Sequence, residues 1–261
     1  MIKFFRKIRY GLMEKNKTGK YFKYAIGEIV LVVIGILIAL QINNWNENRK
    51  GNAQEQAYYQ LLLDEIKQDK EQITKLKATN QNRIKNINEA LREIQREKPR
   101  TLAFGQKWLR SNRQHTNIFQ PNDAAYSDIK SSGKLNIIKD KIVTKALNAY
   151  FTNITNYTEV ILTNVNLVDK HYDKLETWFD TGVYQAYLSD PKRNYIFEED
   201  VKTQLLTDMP EYISEINKQK LYDIVITFSL IIARRAELIT LIEKEVDIMY
   251  EILEKKCTTN D

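Results

Sequence analysis

Between Ala25 and Ile42 the chain carries only two strongly polar side chains, Glu28 and Gln41, whereas elsewhere polar and apolar positions are finely mixed. At 1.5 Å per residue, about 20 apolar residues cross the roughly 30 Å hydrocarbon layer. "AIGEIVLVVIGILIALQINNWN" (25–46) therefore predicts a transmembrane helix. With Gly35 at the midplane, Tyr24 and Trp45 fall about 15 Å to either side, the depth at which amphipathic rings favour the headgroups. About 24 residues precede the run and no A-x-A cleavage site follows it, so the expectation is an uncleaved signal anchor rather than a removable signal.

Beyond the span the apolar period changes to alternating steps of four and three. A first heptad seam runs through Leu62, Ile66, Asp69, Ile73, Leu76, Asn80, Arg83, Ile87, Ala90 and Ile94, and Pro99 ends it. A second passes through Val143, Leu147, Tyr150, Ile154, Tyr157, Ile161, Asn164, Val168, Tyr172, Leu175 and Phe179, with Gly182 as its cap. After Pro210 a third is read through Leu221, Ile224, Phe228, Ile231, Arg235, Leu238, Ile242, Glu245, Met249 and Ile252. Helices over 53–97, 139–180 and 211–257 would be about 68, 63 and 70 Å long, and equal lengths let three apolar stripes close on one another.

The expected fold is all-α: one N-terminal transmembrane helix, then an elongated antiparallel, coiled-coil-like three-helix bundle, up-down-up, with short accessory helices. The organisation follows as a basic tail (1–24), the span (25–45) and a helical bundle (46–261). Gly51 and Asn52 mark where the span would bend or break before the bundle. In the up-down-up order residues 98–138 lie distal to the membrane. Residues 181–210 then lie beside it, where Tyr184, Tyr187, Tyr195 and Phe197, with Trp178 just before, would rest on headgroups or cap the open end of the bundle. "IVITFSLII" (224–232) covers only about 14 Å and is read as a buried helix segment, not a second span.

Charge changes the picture by its location. The net charge is +6, but eight Lys and Arg against Glu14 in residues 1–24 leave +7 there and −1 for the remainder. A positive flank marks the cytoplasmic side, which places the amino terminus inside and the bundle outside, periplasmic in a cell with an inner membrane. A near-neutral bundle makes nucleic acid an unexpected partner. In "MIKFFRKIRYGLM", Ile2, Phe5, Ile8 and Leu12 recur at helical spacing among basic residues, either to lie along an anionic leaflet or simply to set topology.

Candidate chemistry is sparse. Asp69, Asn80, Arg83 and Arg235 interrupt aliphatic seams, as register devices or as a ligand-sensing pocket, and parallel ascent of helices one and three would bring Asp69 near Arg235. On the span, Gly27, Glu28, Gly35 and Ala39 share one face, and Gly35-x-x-x-Ala39 would let a second helix approach closely. Glu28 snorkels to the cytosolic side or joins a polar contact with a partner span. The lipid bilayer is therefore one expected partner, and a second copy or another membrane protein, reached through the span, is the other.

"SSGKLN" (131–136) reads as a helix end and restart: Asn122 or Asp123 caps a short helix, Gly133 takes the left-handed position and Asn136 caps helix two. The other reading makes Ser131, Ser132, Lys134 and Asn136 a small polar site at the distal tip. Ser131-x-x-Lys134 matches the first motif of penicillin-recognising serine enzymes, but the further motifs and the mixed sheet are missing. His115, His171 and Cys257 lack the spacing for a zinc cluster or a Cys–His nucleophile, and "KTGK" (17–20) lacks the glycines of a phosphate loop. No metal or cofactor is expected. Cys257 reads as a free thiol on a frayed end, or as one half of an interchain disulfide.

"GEIVLVVIGILIALQINNWNE" (27–47) and "YSDIKSSGKLNIIKD" (126–140) resemble an uncharacterised family of Bacteroidota single-pass membrane proteins, domain of unknown function 6090, along essentially the whole chain. The resemblance implies an inner-membrane protein with a helical periplasmic part, and carries no activity or site residues. Two function classes follow. One is a non-enzymatic, membrane-anchored interaction module, scaffold or accessory subunit. The other is a ligand-sensing or transport-associated component acting through a partner. An enzyme is not expected.

Overall fold

The computed structural model describes residues 18–112, 117–133, 135–172 and 198–258. The expectations for the basic tail, His115, Lys134, Trp178, Gly182 and the aromatics from Tyr184 to Phe197 lie outside the described residues. Contacts divide the chain after Ala57 into two units. Helix α1 (Thr18–Ile94) contributes to both and passes through Gly51 and Asn52 without a break. There follow α2 (Thr101–Asn112), α3 (Ala124–Ser131), a 3₁₀ turn (Leu135–Ile137), α4 (Lys141–Tyr172), α5 (Glu199–Thr207) and α6 (Glu215–Thr258). The fold is all-α. Among the described residues the one isolated bridge joins Arg100 and Tyr212.

In the first unit every apolar side chain from Ile29 to Ile42 is exposed, and none of the most apolar 18-residue window is buried. A soluble core helix would hide that stripe, so this helix is a candidate membrane span.

In the second unit α1 and, as far as Val165, α4 bury the seams that their heptads predict, while the predicted α4 seam positions Val168, Tyr172, Leu175 and Phe179 lie outside the residues whose side chains are described. All ten positions of the first seam are buried. In α4, Val143, Leu147, Tyr150, Ile154 and Ile161 are buried, while Tyr157 and Asn164 are half-buried. The third seam differs from expectation. Leu221, Phe228, Arg235, Leu238, Ile242 and Met249 point inward as expected, but Val225, Ile232, Ile239, Val246 and Leu253 are buried, whereas Ile224, Ile231, Glu245 and Ile252 are only half-buried. Adjacent apolar pairs such as Ile224/Val225 and Ile231/Ile232 make either choice apolar. Only Glu245 beside Val246 carries a distinction.

The directions of the helices also correct the expectation. Lys70 pairs with Asp247 at 2.8 Å and Lys77 with Glu243 at 2.7 Å, so advancing along α1 means retreating along α6. Asp140 pairs with Lys256 at 2.5 Å and Asn153 donates to Glu245 at 3.0 Å, so α4 also opposes α6. Asp69 meets Tyr150 while Arg83 sits beside Ile161 and Val165, so α1 and α4 run the same way. The order is up-up-down rather than up-down-up.

Residues 95–140 must therefore return the length of the bundle instead of capping a distal end. They start where Thr101 N donates to Glu211 O and Ile213 N to Pro99 O, and they finish beside Tyr58. Residues 211–213 consequently sit at the Ile94 end, and α3 at the end formed by the first bundle turns of α1. On the way, Phe104, Trp108 and Leu109 of α2 join a core with Ile87, Ala90, Ile94, Leu221, Val225 and Phe228. Phe119, Ala125, Tyr126 and Ile129 join a second core with Tyr59, Leu62, Leu147 and Ile242. Leu253→Ala is expected to cost about 2–5 kcal/mol in urea unfolding and Ile252→Ala distinctly less; equal losses would restore the other register of α6.

Candidate functional site

The densest polar construction clamps the returning segment to α1. Glu65, Asp69 and Gln72, at i, i+4 and i+7, occupy one helical face. Gln72 grips a peptide unit at both edges: its Nε2 donates to Gln120 O at 3.0 Å, and Gln120 N donates to its Oε1 at 2.7 Å. Asp69, fully buried, accepts Asn122 N at 3.0 Å and Asn122 Nδ2 at 2.7 Å on Oδ1, and the Tyr150 hydroxyl at 2.6 Å on Oδ2. Glu65 Oε1 accepts Ala125 N at 2.7 Å. Asp123 precedes α3 without a capping bond of its own, so a side chain from another helix satisfies that orphan donor. Tyr58 donates to Asp128 at 2.7 Å, and Tyr126 stacks on Phe151 with centroids 4.2 Å apart.

Burial pushes the Asp69 and Glu65 carboxyls above their ordinary range, with the bonds from Tyr150, Asn122 and Ala125 opposing it and the charge of Asp123 adding to it. Glu65 Oε2 is buried without a partner. The Tyr150 hydroxyl is held firmly neutral by burial, then by the Asp69 charge.

The second construction is a polar layer. The Phe119-side core ends on α1 at Leu76 and the Trp108-side core begins at Ile84 and Ile87; Asn80 and Arg83 fall between them. On α6 the two cores meet at Ile232 and Leu238, with Arg235 between. Arg83 and Arg235 line a cavity of about 20 Å³ with Asn164, Ile161, Val165, Phe228, Ile231 and Ile232. That volume suits a water molecule and no organic ligand. Burial pulls the Arg235 guanidinium down to about 10, still cationic at neutral pH. Asn80 Oδ1 is buried without a hydrogen-bond partner. Three of the four polar seam residues are thus brought to one level. Asp69 is not among them, and its expected meeting with Arg235 does not occur because antiparallel α6 presents Asp247 at that level.

The span stripe stands open: a Cβ added at Gly27 or Gly35 would meet nothing within 4 Å, Ala39 is exposed and Glu28 is half-buried. At the 131–136 motif, Gly133 has φ 67°, the left-handed conformation that favours glycine. The Ser131 and Ser132 hydroxyls bond back to Asp128 O and Ile129 O at 3.3 Å. Asn136 lies in the 3₁₀ turn and does not cap α4. Asp140 does, accepting Ile142 N at 2.7 Å, while the Lys256 ammonium lowers its carboxyl. Cys257 lies in the last turn of α6 with its side chain packed against the core, and burial raises its thiol. Among the described residues no group of three or more His, Cys, Asp or Glu is placed to hold a metal ion.

The sequence marks Asn80, Arg83 and Arg235 as polar seam positions but does not single out Glu65, Gln72, Asn122 or Tyr150 as clamp members. The i, i+4, i+7 polar face on α1 was the available signal; Tyr150 was hidden as a seam aromatic.

Tyr150→Phe removes one donor from a buried carboxylate and is expected to cost about 1–3 kcal/mol by urea unfolding. For pH, the folded pKa values of Asp69 and Glu65 exceed the unfolded ones, so the folded state binds more protons. Their contribution is fully present below the ordinary carboxylate range, about 4, and is lost as pH rises through the raised values. Asp69→Asn together with Glu65→Gln should flatten the decline in Tm over that interval; an unchanged slope would place the titration elsewhere.

No curated protein and no solved structure matches this chain. The model of a family described as "Family of unknown function (DUF6090)" matches residues 28–190, more than half the chain, and the protein belongs to that family.

Proposed function

We propose that the protein is a membrane-anchored helical interaction module, a scaffold or accessory subunit rather than an enzyme, with its amino terminus in the cytoplasm and its bundle in the periplasm of the inner membrane. The observation that carries this reading is the wholly exposed apolar window of α1, which water tolerates poorly and lipid solvates. The positive residues before it favour the inward amino terminus. Its Gly27, Gly35 and Ala39 stripe, open on the helix surface, suits a second span from another copy or a partner membrane protein.

The polar layer favours the interaction reading over ligand sensing. A sensor acting through a partner needs room for its ligand, and the cavity between Arg83 and Arg235 admits only water. A buried Asn80 and two buried arginines fix which levels of the three helices meet.

A periplasm-active reporter fused after residue 258 is expected to be active, the same reporter at the amino terminus inactive, and the protein to stay with vesicles through an alkaline carbonate wash. Release by the wash would remove the anchor; activity of the amino-terminal fusion alone would reverse the topology.

A further inference from the structure

Between the apolar window of α1 and the end of the first unit at Ala57 the helix carries four charged side chains, Glu47, Arg49, Lys50 and Glu55. Glu47 and Lys50, one turn apart, neutralise each other at 3.5 Å. Arg49 is held differently. Its guanidinium lies over the Trp45 ring, 5.4 Å from the centroid, and its Nη2 donates to Asn46 Oδ1 at 3.3 Å. Both partners are uncharged, and no carboxylate among the described residues pairs with Arg49. Contacts three and four residues back along the helix thus fix the guanidinium in place while leaving its charge unanswered. Trp45 is 62% exposed, so the stacked pair faces outward rather than into a core.

Depth along the helix sets what this cation meets. With Gly35 at the midplane, Arg49 lies about 21 Å out, and a bilayer of about 40–45 Å including its headgroups ends about 20–22 Å out. The Cα–Cβ bonds of a helix tilt toward its amino terminus, here back toward the lipid, and that is the direction in which Arg49 reaches Trp45. The group found at this depth that matches a planar cation is a phosphodiester. A guanidinium fork bonds two phosphate oxygens in parallel, and stacking on a ring leaves its in-plane N–H edges open to do so.

A zwitterionic headgroup carries its own ammonium beside the phosphate, whereas a net-anionic headgroup leaves the phosphate charge for an outside cation. Arg49, lacking a counter-charge, gains most from the second kind. We infer that Trp45, Asn46 and Arg49 form a binding site for the phosphate of a net-anionic phospholipid, such as phosphatidylglycerol, in the leaflet on the bundle's side of the membrane. This site rests on the membrane-anchored reading and lies wholly within the first unit.

The test uses the full chain reconstituted in vesicles of phosphatidylcholine with a minor share of phosphatidylglycerol, and Trp45 fluorescence as the local readout. Brominated acyl chains quench a neighbouring indole, so two sets of vesicles are compared that differ only in which of the two lipids carries bromine. The quenching that is absent from Trp45→Phe belongs to Trp45. It is expected to report phosphatidylglycerol about fivefold above its bulk share, the preference that one cation gives at a membrane surface. Arg49→Gln should remove that excess. Glu47→Gln with Lys50→Gln, which deletes the neighbouring pair at constant net charge, should leave it. Arg49 is exposed, so its substitution leaves the helix intact. Equal enrichment in wild type and Arg49→Gln overturns the inference, as does loss of the excess with the Glu47–Lys50 pair. Excess inorganic phosphate should leave the enrichment unchanged; its loss would assign the site to free phosphate and overturn the lipid. Arg49→Gln should still resist the alkaline wash, whereas release of the wild-type chain defeats the membrane-anchored reading itself, so the two failures are distinguishable.

Discussion

Two helices of one chain that run in the same direction force the residues between them to travel back along the bundle. That constraint governs the second unit. α1 and α4 are parallel, and the level of Ile94 is about 52 Å of helix from that of Tyr59, so residues 95–140 cannot be a tight turn. They become structure in their own right, a helix that fills one core and a strap that covers the other. An extended strap must satisfy its own backbone donors, and α1 supplies acceptors at Glu65, Asp69 and Gln72. Asp69 does most, because its two oxygens tie the strap to α1 and α4 to both. A buried carboxylate with three donors is compatible with a core; the same group unpaired would not be.

The polar layer answers a different requirement. Long heptad helices can slide by a turn and still bury leucine against leucine. Asn80, Arg83 and Arg235, placed between two apolar cores, penalise such a slip, because each would then face aliphatic walls without its present neighbours. The same layer divides the bundle into two packing regions, each with its own aromatic anchor: Trp108 against Phe228 in one, Tyr126 on Phe151 in the other.

Among the described residues the buried polar side chains tie helices and strap together, and the apolar window of α1 is left exposed. The open stripe of α1 is incomplete as an isolated helix face in water, because nothing in the first unit covers it.

Much of this was legible in the residues alone. The apolar run from Ala25 to Ile42 determined an exposed, span-length helix, because no arrangement of so few polar groups suits water. The heptads determined three long helices and all ten buried positions of the first seam, because burial follows the 3.5-residue period. Gly133 announced its left-handed turn. What only the tertiary structure decided was direction and pairing. Equal helix lengths fit up-down-up and up-up-down alike, and Ile231 beside Ile232 leaves the inner face of α6 undetermined until α1 and α4 are packed against it. The partners of Asp69 lie 53 and 81 residues away in sequence, and local pattern holds no record of which distant donors a buried carboxylate will meet.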